Sequence, residues 1–239
     1  MIRGMIARLR WPAWNGGASV AWQVAGMILA WSYAVSLHWT NDGLWYQGDS
    51  SRHAANGVFW WDFLTHFPVS PLSFALSYYA RYPVINPTAY PPFFYLIEGA
   101  AYQLFGVSPY VGKGIVLVSL LLGALYLSAW LRRWIAPEAG WAALLLLLQP
   151  GALIWSHAVM LNVPSMALAL AALYHARRWL EAPWSKHVYF TAAFGLFAIL
   201  TYLPIGVCAA IVLLWALWER RLSSILTIRT ALVLLPAAA

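Results

Sequence analysis

The sequence predicts an all-α membrane protein, a polytopic helical bundle, on three observations. Hydrophobic residues make up 63% of the 239 and charged residues only 9%, where a soluble domain carries about 25% charged. A soluble fold cannot hide that much apolar surface; a bilayer can. Apolar runs approach the roughly 20 residues a helix needs to cross about 30 Å of hydrocarbon. Basic residues fall in pairs at alternate ends of those runs.

The elements follow in order. Arg3, Arg8 and Arg10 precede a first apolar run, Ala18 to Trp39. It is long for a cleavable signal core and lacks a small-x-small cleavage site, so it reads as a signal anchor. A mixed segment, 40–109, follows, rich in Pro and aromatic residues and holding four of the seven acids. Apolar runs then return: Tyr110–Leu131, closed by Arg132 and Arg133; Gly140–His157; Leu161–Tyr174, followed by Arg177 and Arg178; Val188–Tyr202; and Pro204–Trp218, closed by Glu219, Arg220 and Arg221. That makes six complete crossings, with a partial seventh from Ile225 to Ala239. The last run has no polar flank, which suggests a chain missing further helices. The whole reads as one transmembrane domain, 1–239: a cytoplasmic N-terminus (1–17), a first span (18–39), an outer loop (40–109) and the remaining spans (110–239).

Charge fixes the orientation. With the N-terminus cytoplasmic, ten of the fourteen Lys and Arg face inward; Arg52, Arg81 and Lys113 lie outside or near the outer face, and Arg229 sits in the last run. The positive-inside rule selects this arrangement. The net charge of +7 therefore reports topology, and its scatter in pairs argues against nucleic acid. Most of the sixteen Trp lie near run ends, as in an interfacial belt. The expected place is an integral membrane protein of a bacterial inner membrane, with loop 40–109 periplasmic if the cell is Gram-negative. The single cysteine, Cys208, excludes an intramolecular disulfide.

Two interfacial helices are expected in the outer loop. One starts at Asp49 or Ser50, with Ala54, Val58, Trp61 and Leu64 on an apolar face. The other runs Pro92–Leu104, with Phe93, Leu96, Ala100 and Leu104 on one face and prolines at its first turn. Such helices would roof a cavity at the outer ends of the spans. Asp49 stands where an N-cap carboxylate accepts first-turn N–H groups. The same position suits a carboxylate at a cavity mouth, poised to take a proton.

Gly48-Asp49-Ser50 after one span, Arg52 in the helix it opens, Tyr90-Pro91-Pro92-Phe93-Phe94-Tyr95, Leu104-Phe105-Gly106, and Lys113 beginning a span that ends Leu131-Arg132-Arg133 together define an order. That order resembles the lipid-linked-sugar glycosyltransferases of the GT-C fold. It is most similar to the family 39 type, which includes protein O-mannosyltransferases and the aminoarabinose transferases of lipid A. The resemblance implies that Asp49 is the catalytic carboxylate of a Gly-Asp-Glu-like motif, with Ser50 replacing the usual Glu. It implies that Lys113 takes the place of the basic residue that holds the lipid phosphate. Tyr90-Pro91 stands where the family often has Lys-Pro, and Asn162, in Leu161-Asn162-Val163-Pro164, stands near a place where it often has Asp. The implied donor is a sugar on a polyprenyl phosphate and the implied acceptor a lipid, glycan or protein. No cofactor is implied, and the absence of a nucleotide-binding Gly-rich loop agrees with a lipid donor. Asp49 would act as base, Lys113 with Arg52 or Arg81 would stabilise the leaving phosphate, and the sugar carbon would invert.

Each of these residues has a plainer reading beside it. Lys113 near a span end can snorkel to the interface, and Arg52 can pair with Asp49 or with lipid headgroups. His53 lies on the Asp49 face, but His53, His66 and Asp49 match no metal-ligand spacing, so no metal is expected. His157 and Asn162 flank a short outer turn and can simply be polar loop residues or line the cavity. Glu98 is expected on the polar side of its short helix, solvated or paired. Rival functions are an inactive fragment or non-catalytic scaffold of the same fold and, more distantly, a transporter. A transporter would show paired broken helices and mid-span charges; no such pairing is evident, and most charges sit at span ends.

Overall fold

A computed structural model describes residues 16–38, 49–87, 89–182 and 185–218. Regular structure among the described residues is entirely helical. The α-helices are α1 (Gly16–His38), α2 (Asp49–His66), α3 (Pro71–Arg81), α4 (Phe93–Phe105), α5 (Pro109–Trp134), α6 (Leu144–Leu148), α7 (Pro150–Ser156), α8 (Asn162–Glu181), α9 (His187–Ile199) and α10 (Val207–Trp218). Short 3₁₀ turns, Pro137–Ala143 and Leu203–Gly206, lead into α6 and α10.

The longest helix is α5, and its ends explain its length. Ser108 caps it, its Oγ accepting from the Tyr110 N–H at 3.1 Å, and Pro109 occupies the first turn, where an N–H is not needed. Arg132 and Arg133 fill the last turn, where the helix dipole favours cations. Its 26 residues extend about 39 Å at about 1.5 Å each. The Trp31 indole of α1 donates to the Leu117 carbonyl of α5 at 2.7 Å, and Gln23 of α1 donates to the Pro137 carbonyl at 2.8 Å. The core joins Met27 of α1, Phe94 and Tyr95 of α4, Val116 and Leu120 of α5, Leu147 of α6 and Leu161 before α8.

Two of the six expected crossings meet the length and apolarity of a membrane span, within residues 19–37 and 109–134. A third does so if Pro137–Leu148 and Pro150–Ser156 form one bent span; Gln149-Pro150 breaks that pair by 58°. The others fall short for physical reasons. Helix α8 has 20 residues, but its polar and charged ends, with Arg177, Arg178 and Glu181, dilute its apolar middle. Helix α9 has only 13 residues, and the segment Leu203–Trp215 is likewise apolar but short. The expected run from Ile225, the N-terminal arginines and Gly48 lie outside the described residues.

The two described basic pairs, Arg132-Arg133 and Arg177-Arg178, lie at one end of the bundle. Arg133 bonds Glu181 at 3.0 Å, the Trp134 indole donates to the same carboxylate, and Arg177 lies 3.8 Å from it. The Arg177 guanidinium also sits 4.5 Å over the Trp215 ring. Helices α2 and α4 pack at the opposite end of α5. There, Phe93 of α4 stacks on Phe197 of α9 at 4.2 Å, and its N–H bonds the Leu200 carbonyl.

Both expected loop helices form, within a residue or two of their predicted bounds, but each turns a different face inward. The buried side of α2 is Ser50, His53, Asn56, Gly57 and Phe59, while the apolar position Leu64 is exposed. The buried side of α4 is Phe94, Tyr95, Glu98, Gly99 and Tyr102. A third loop helix, α3, escaped the sequence reading, although Ser70-Pro71 is a helix-start signal.

Candidate functional site

The first turn of α2 is fixed from both sides. Asp49, half-exposed, accepts from Arg52 at 2.7 Å, an i,i+3 pair on one face. An ion pair this exposed contributes at most about 1 kcal/mol, so it aims the carboxylate more than it stabilises the fold. Ser50 is fully buried, and its Oγ accepts from the Val159 N–H at 2.8 Å. This bond ties the start of α2 to the turn between α7 and α8.

One turn on, His53 is buried, with Nδ1 2.7 Å from the Tyr95 hydroxyl of α4. The Tyr90 ring packs edge-on to it at 5.0 Å. Burial lowers the His53 pKa from 6.5 to about 4; the Asp49 charge opposes that shift and Arg52 reinforces it. The imidazole is therefore neutral at neutral pH. Asn56 extends the polar stripe: its Oδ1 accepts from the Asn86 N–H at 2.9 Å and its amide donates to the Asn86 carbonyl.

The cluster continues into the interior through Glu98. Its carboxyl is 0% exposed, which corrects the expectation of a solvated face. Oε1 accepts from the Tyr102 hydroxyl at 2.8 Å, while Oε2 has no hydrogen bond among the described residues. Burial raises its pKa to about 8, with the Tyr102 bond opposing, so it is a neutral acid at pH 7. It fits because glycines surround it. A Cβ on Gly57 would meet Oε2 at 2.5 Å, and one on Gly112 would meet Oε1 at 3.0 Å. Helices α2 and α4 cross here: a Cβ on Gly99 would come within 2.7 Å of the Gly57 carbonyl oxygen.

The expected site residues divide into two groups. Asp49, Arg52, His53 and Tyr90 come together around the start of α2. Lys113, buried on α5, directly follows Gly112, which touches Glu98 and Val159. Arg81 is exposed at the end of α3, and no hydrogen bond or ion pair joins it to the cluster among the described residues. Asn162 is exposed at the first position of α8. The sequence reading missed Tyr95, Glu98 and Tyr102. The spacing of Glu98 and Tyr102, one helical turn apart with Gly99 between, was the available signal.

Behind α4 opens an apolar groove of about 760 Å³. Helix α4 separates the two regions: Tyr95, Glu98 and Tyr102 face the cluster, and Ile97, Ala101 and Phe105 line the groove. Its far wall is α8 and α9, through Pro164, Leu168, Phe194 and Phe197. On α5 it is lined from Tyr110 to Tyr126, about 24 Å at 1.5 Å per residue. Gly114, next to Lys113, is part of that wall. Among the described residues no group of three or more His, Cys, Asp or Glu could hold a metal ion. Neither a protein-family model, nor a curated protein, nor a solved structure matches the chain.

Proposed function

We propose that this protein is a membrane glycosyltransferase of GT-C type that moves a sugar from a polyprenyl phosphate to an acceptor hydroxyl at the outer face of the membrane. The observation that carries the reading is the junction of two environments on α5. An apolar groove runs along one face of α5 from Tyr110. Lys113 is buried at the same end of that helix, outside the groove's lining, and an oriented, half-exposed carboxylate stands at the same end of the bundle. An amphiphilic donor needs both. Its isoprenoid tail matches a groove whose lining is almost wholly apolar, and its phosphate needs a cation at the end.

In this reading the acceptor hydroxyl gives its proton to Asp49 as its oxygen attacks the anomeric carbon. The bond from that carbon to the phosphate oxygen breaks, and the polyprenyl phosphate leaves with the extra negative charge. A general base must lie within hydrogen-bond reach of the proton it takes; the Arg52 pair holds the Asp49 carboxylate in one direction for this. Lys113 and Arg52 supply positive charge where the phosphate's charge grows, in a site of low dielectric. A single displacement inverts the sugar carbon.

The test is transfer from a synthetic polyprenyl-phosphate sugar to a panel of acceptors by the purified chain in lipid. Asp49→Asn keeps the shape and removes the base; it should lower the rate by about 10²- to 10⁴-fold while donor binding persists. Equal rates in both proteins would remove Asp49 from the mechanism. Donor binding without transfer by either would favour a non-catalytic member of the same fold.

A further inference from the structure

The outer-loop helices enclose a second cavity, of about 430 Å³, which the transfer chemistry does not use. Its volume falls within the range of small-molecule sites, about 300–1,000 Å³. It lies between α2, α3 and the turn from α4 into α5, on a different side of α2 from His53. Unlike the apolar groove, it has a carboxylate. Among the described residues Asp62 is the single charged one in its lining, and Tyr78, Tyr82, Tyr102 and Ser108 complete its walls, the Tyr102 hydroxyl being turned to Glu98.

The carboxylate is pre-oriented. The Tyr78 hydroxyl donates to Asp62 Oδ2 at 2.9 Å, and Oδ1 has no hydrogen bond among the described residues. The Tyr78 ring is held in turn by Phe59 at 5.2 Å, edge-on, and by Tyr82 at 5.2 Å. Burial, with Asp62 beside it, pushes the Tyr78 phenol up from its ordinary value, so it remains a donor at neutral pH. The floor, with Val58, is small and apolar.

These features select a ligand. An anion is repelled by Asp62, since no lysine or arginine lines the cavity. A purely apolar ligand would leave the carboxylate oxygen unpaired, at a cost of about 1–3 kcal/mol or more for a charged group. A neutral sugar ring presents hydroxyls at its edge for Asp62 and the phenols, and C–H faces for tyrosine rings and Val58. We propose that this cavity binds one neutral saccharide ring. The proposal stands on the cavity's own residues and holds whether or not the chain transfers sugar.

The experiment uses the full chain in nanodiscs, titrated with methyl mannoside, methyl glucoside and N-acetylglucosamine. Saturation-transfer NMR and intrinsic fluorescence follow binding. At least one probe should bind saturably in the millimolar range. Asp62→Asn should weaken it about tenfold, the loss of one hydrogen bond to a charged group, and Val58→Trp should abolish it by filling the space. Asp49→Asn should bind as the wild type does, which separates this site from the transfer chemistry. Circular dichroism checks that each variant folds, and the two cavity variants act by different means, so one misfolded variant leaves the other to decide. Absence of saturable binding by all three probes would overturn the proposal. So would binding unaffected by either cavity variant, or tighter binding of tetramethylammonium than of any sugar.

Discussion

At residue scale, a constraint set by backbone is the pair of glycines where α2 crosses α4. Gly99 brings α4 against the Gly57 carbonyl, and a methyl there would meet that oxygen at 2.7 Å and the Trp61 Cβ at 2.8 Å. Backbone cannot yield as a flexible side chain can. Gly99→Ala should therefore destabilise the protein by about 1–3 kcal/mol, the usual cost of overpacking, although alanine is the better helix former. Thermal melting of the purified variant checks this, and an unchanged Tm would show that the crossing is looser than described. Gly114, one turn from the site, has open space around its Cβ position and serves as control. Glu98 illustrates what a sequence conceals at this scale. A carboxylate on a short helix reads as solvated, because charged residues are almost never fully buried unless paired. Here neutralisation takes the place of a pairing charge, and nothing local to Phe93–Phe105 announces that Gly57 and Gly112 will close around it.

At element scale, helix positions were legible and helix faces were not. The Ser108-Pro109 start and Arg132-Arg133 end of α5 can be read directly, and Asp49 and Pro92 mark the starts of α2 and α4. The inward faces depend on partners. Ser50, His53 and Asn56 form a polar stripe, which period alone assigns to water, yet Val159, Tyr95 and Asn86 each supply it with a hydrogen bond. Helix α3 was lost among prolines and aromatics, although its start signal was present. Crossing number is a separate question, because hydrophobic runs of 13 to 20 residues sit at the margin of the bilayer thickness. The proposed topology makes a definite prediction. In a chain whose Cys208 is replaced by Ser, Thr65→Cys at the exposed end of α2 should react with a membrane-impermeant maleimide on intact cells. Glu138→Cys, exposed after α5, should react only once the membrane is opened. The reverse pattern would invert the topology and remove the proposed chemistry from the outer face.

At the scale of the whole molecule, two buried groups shape the dependence of stability on pH. His53 titrates near 6.5 when unfolded and at about 4 in the fold. Its contribution is therefore complete above 6.5 and is lost as the pH falls toward 4. Glu98 titrates near 4.5 when unfolded and at about 8 in the fold. Its contribution is complete below 4.5 and drains away as the pH rises toward 8. Between 4.5 and 6.5 these two slopes oppose each other. From 6.5 to 8 only Glu98 acts, and stability should fall by about 1.4 kcal/mol per pH unit. Melting curves of the purified protein across this window test the slope. Glu98→Gln, which keeps the shape of the neutral acid, should flatten the alkaline limb and, with the opposing slope gone, uncover the His53 rise in stability between 4.5 and 6.5. A wild-type melting temperature that stays constant from 6.5 to 8 would mean that Glu98 ionises normally.

The hydroxyl of Ser50 reaches across 109 residues of chain to hold the Val159 amide. During synthesis, α2 leaves the ribosome long before α7 does, so the corner bearing Asp49 has no fixed address until the middle of the protein has been made. The start of α2 therefore gains this anchor only once the turn before α8 has been made.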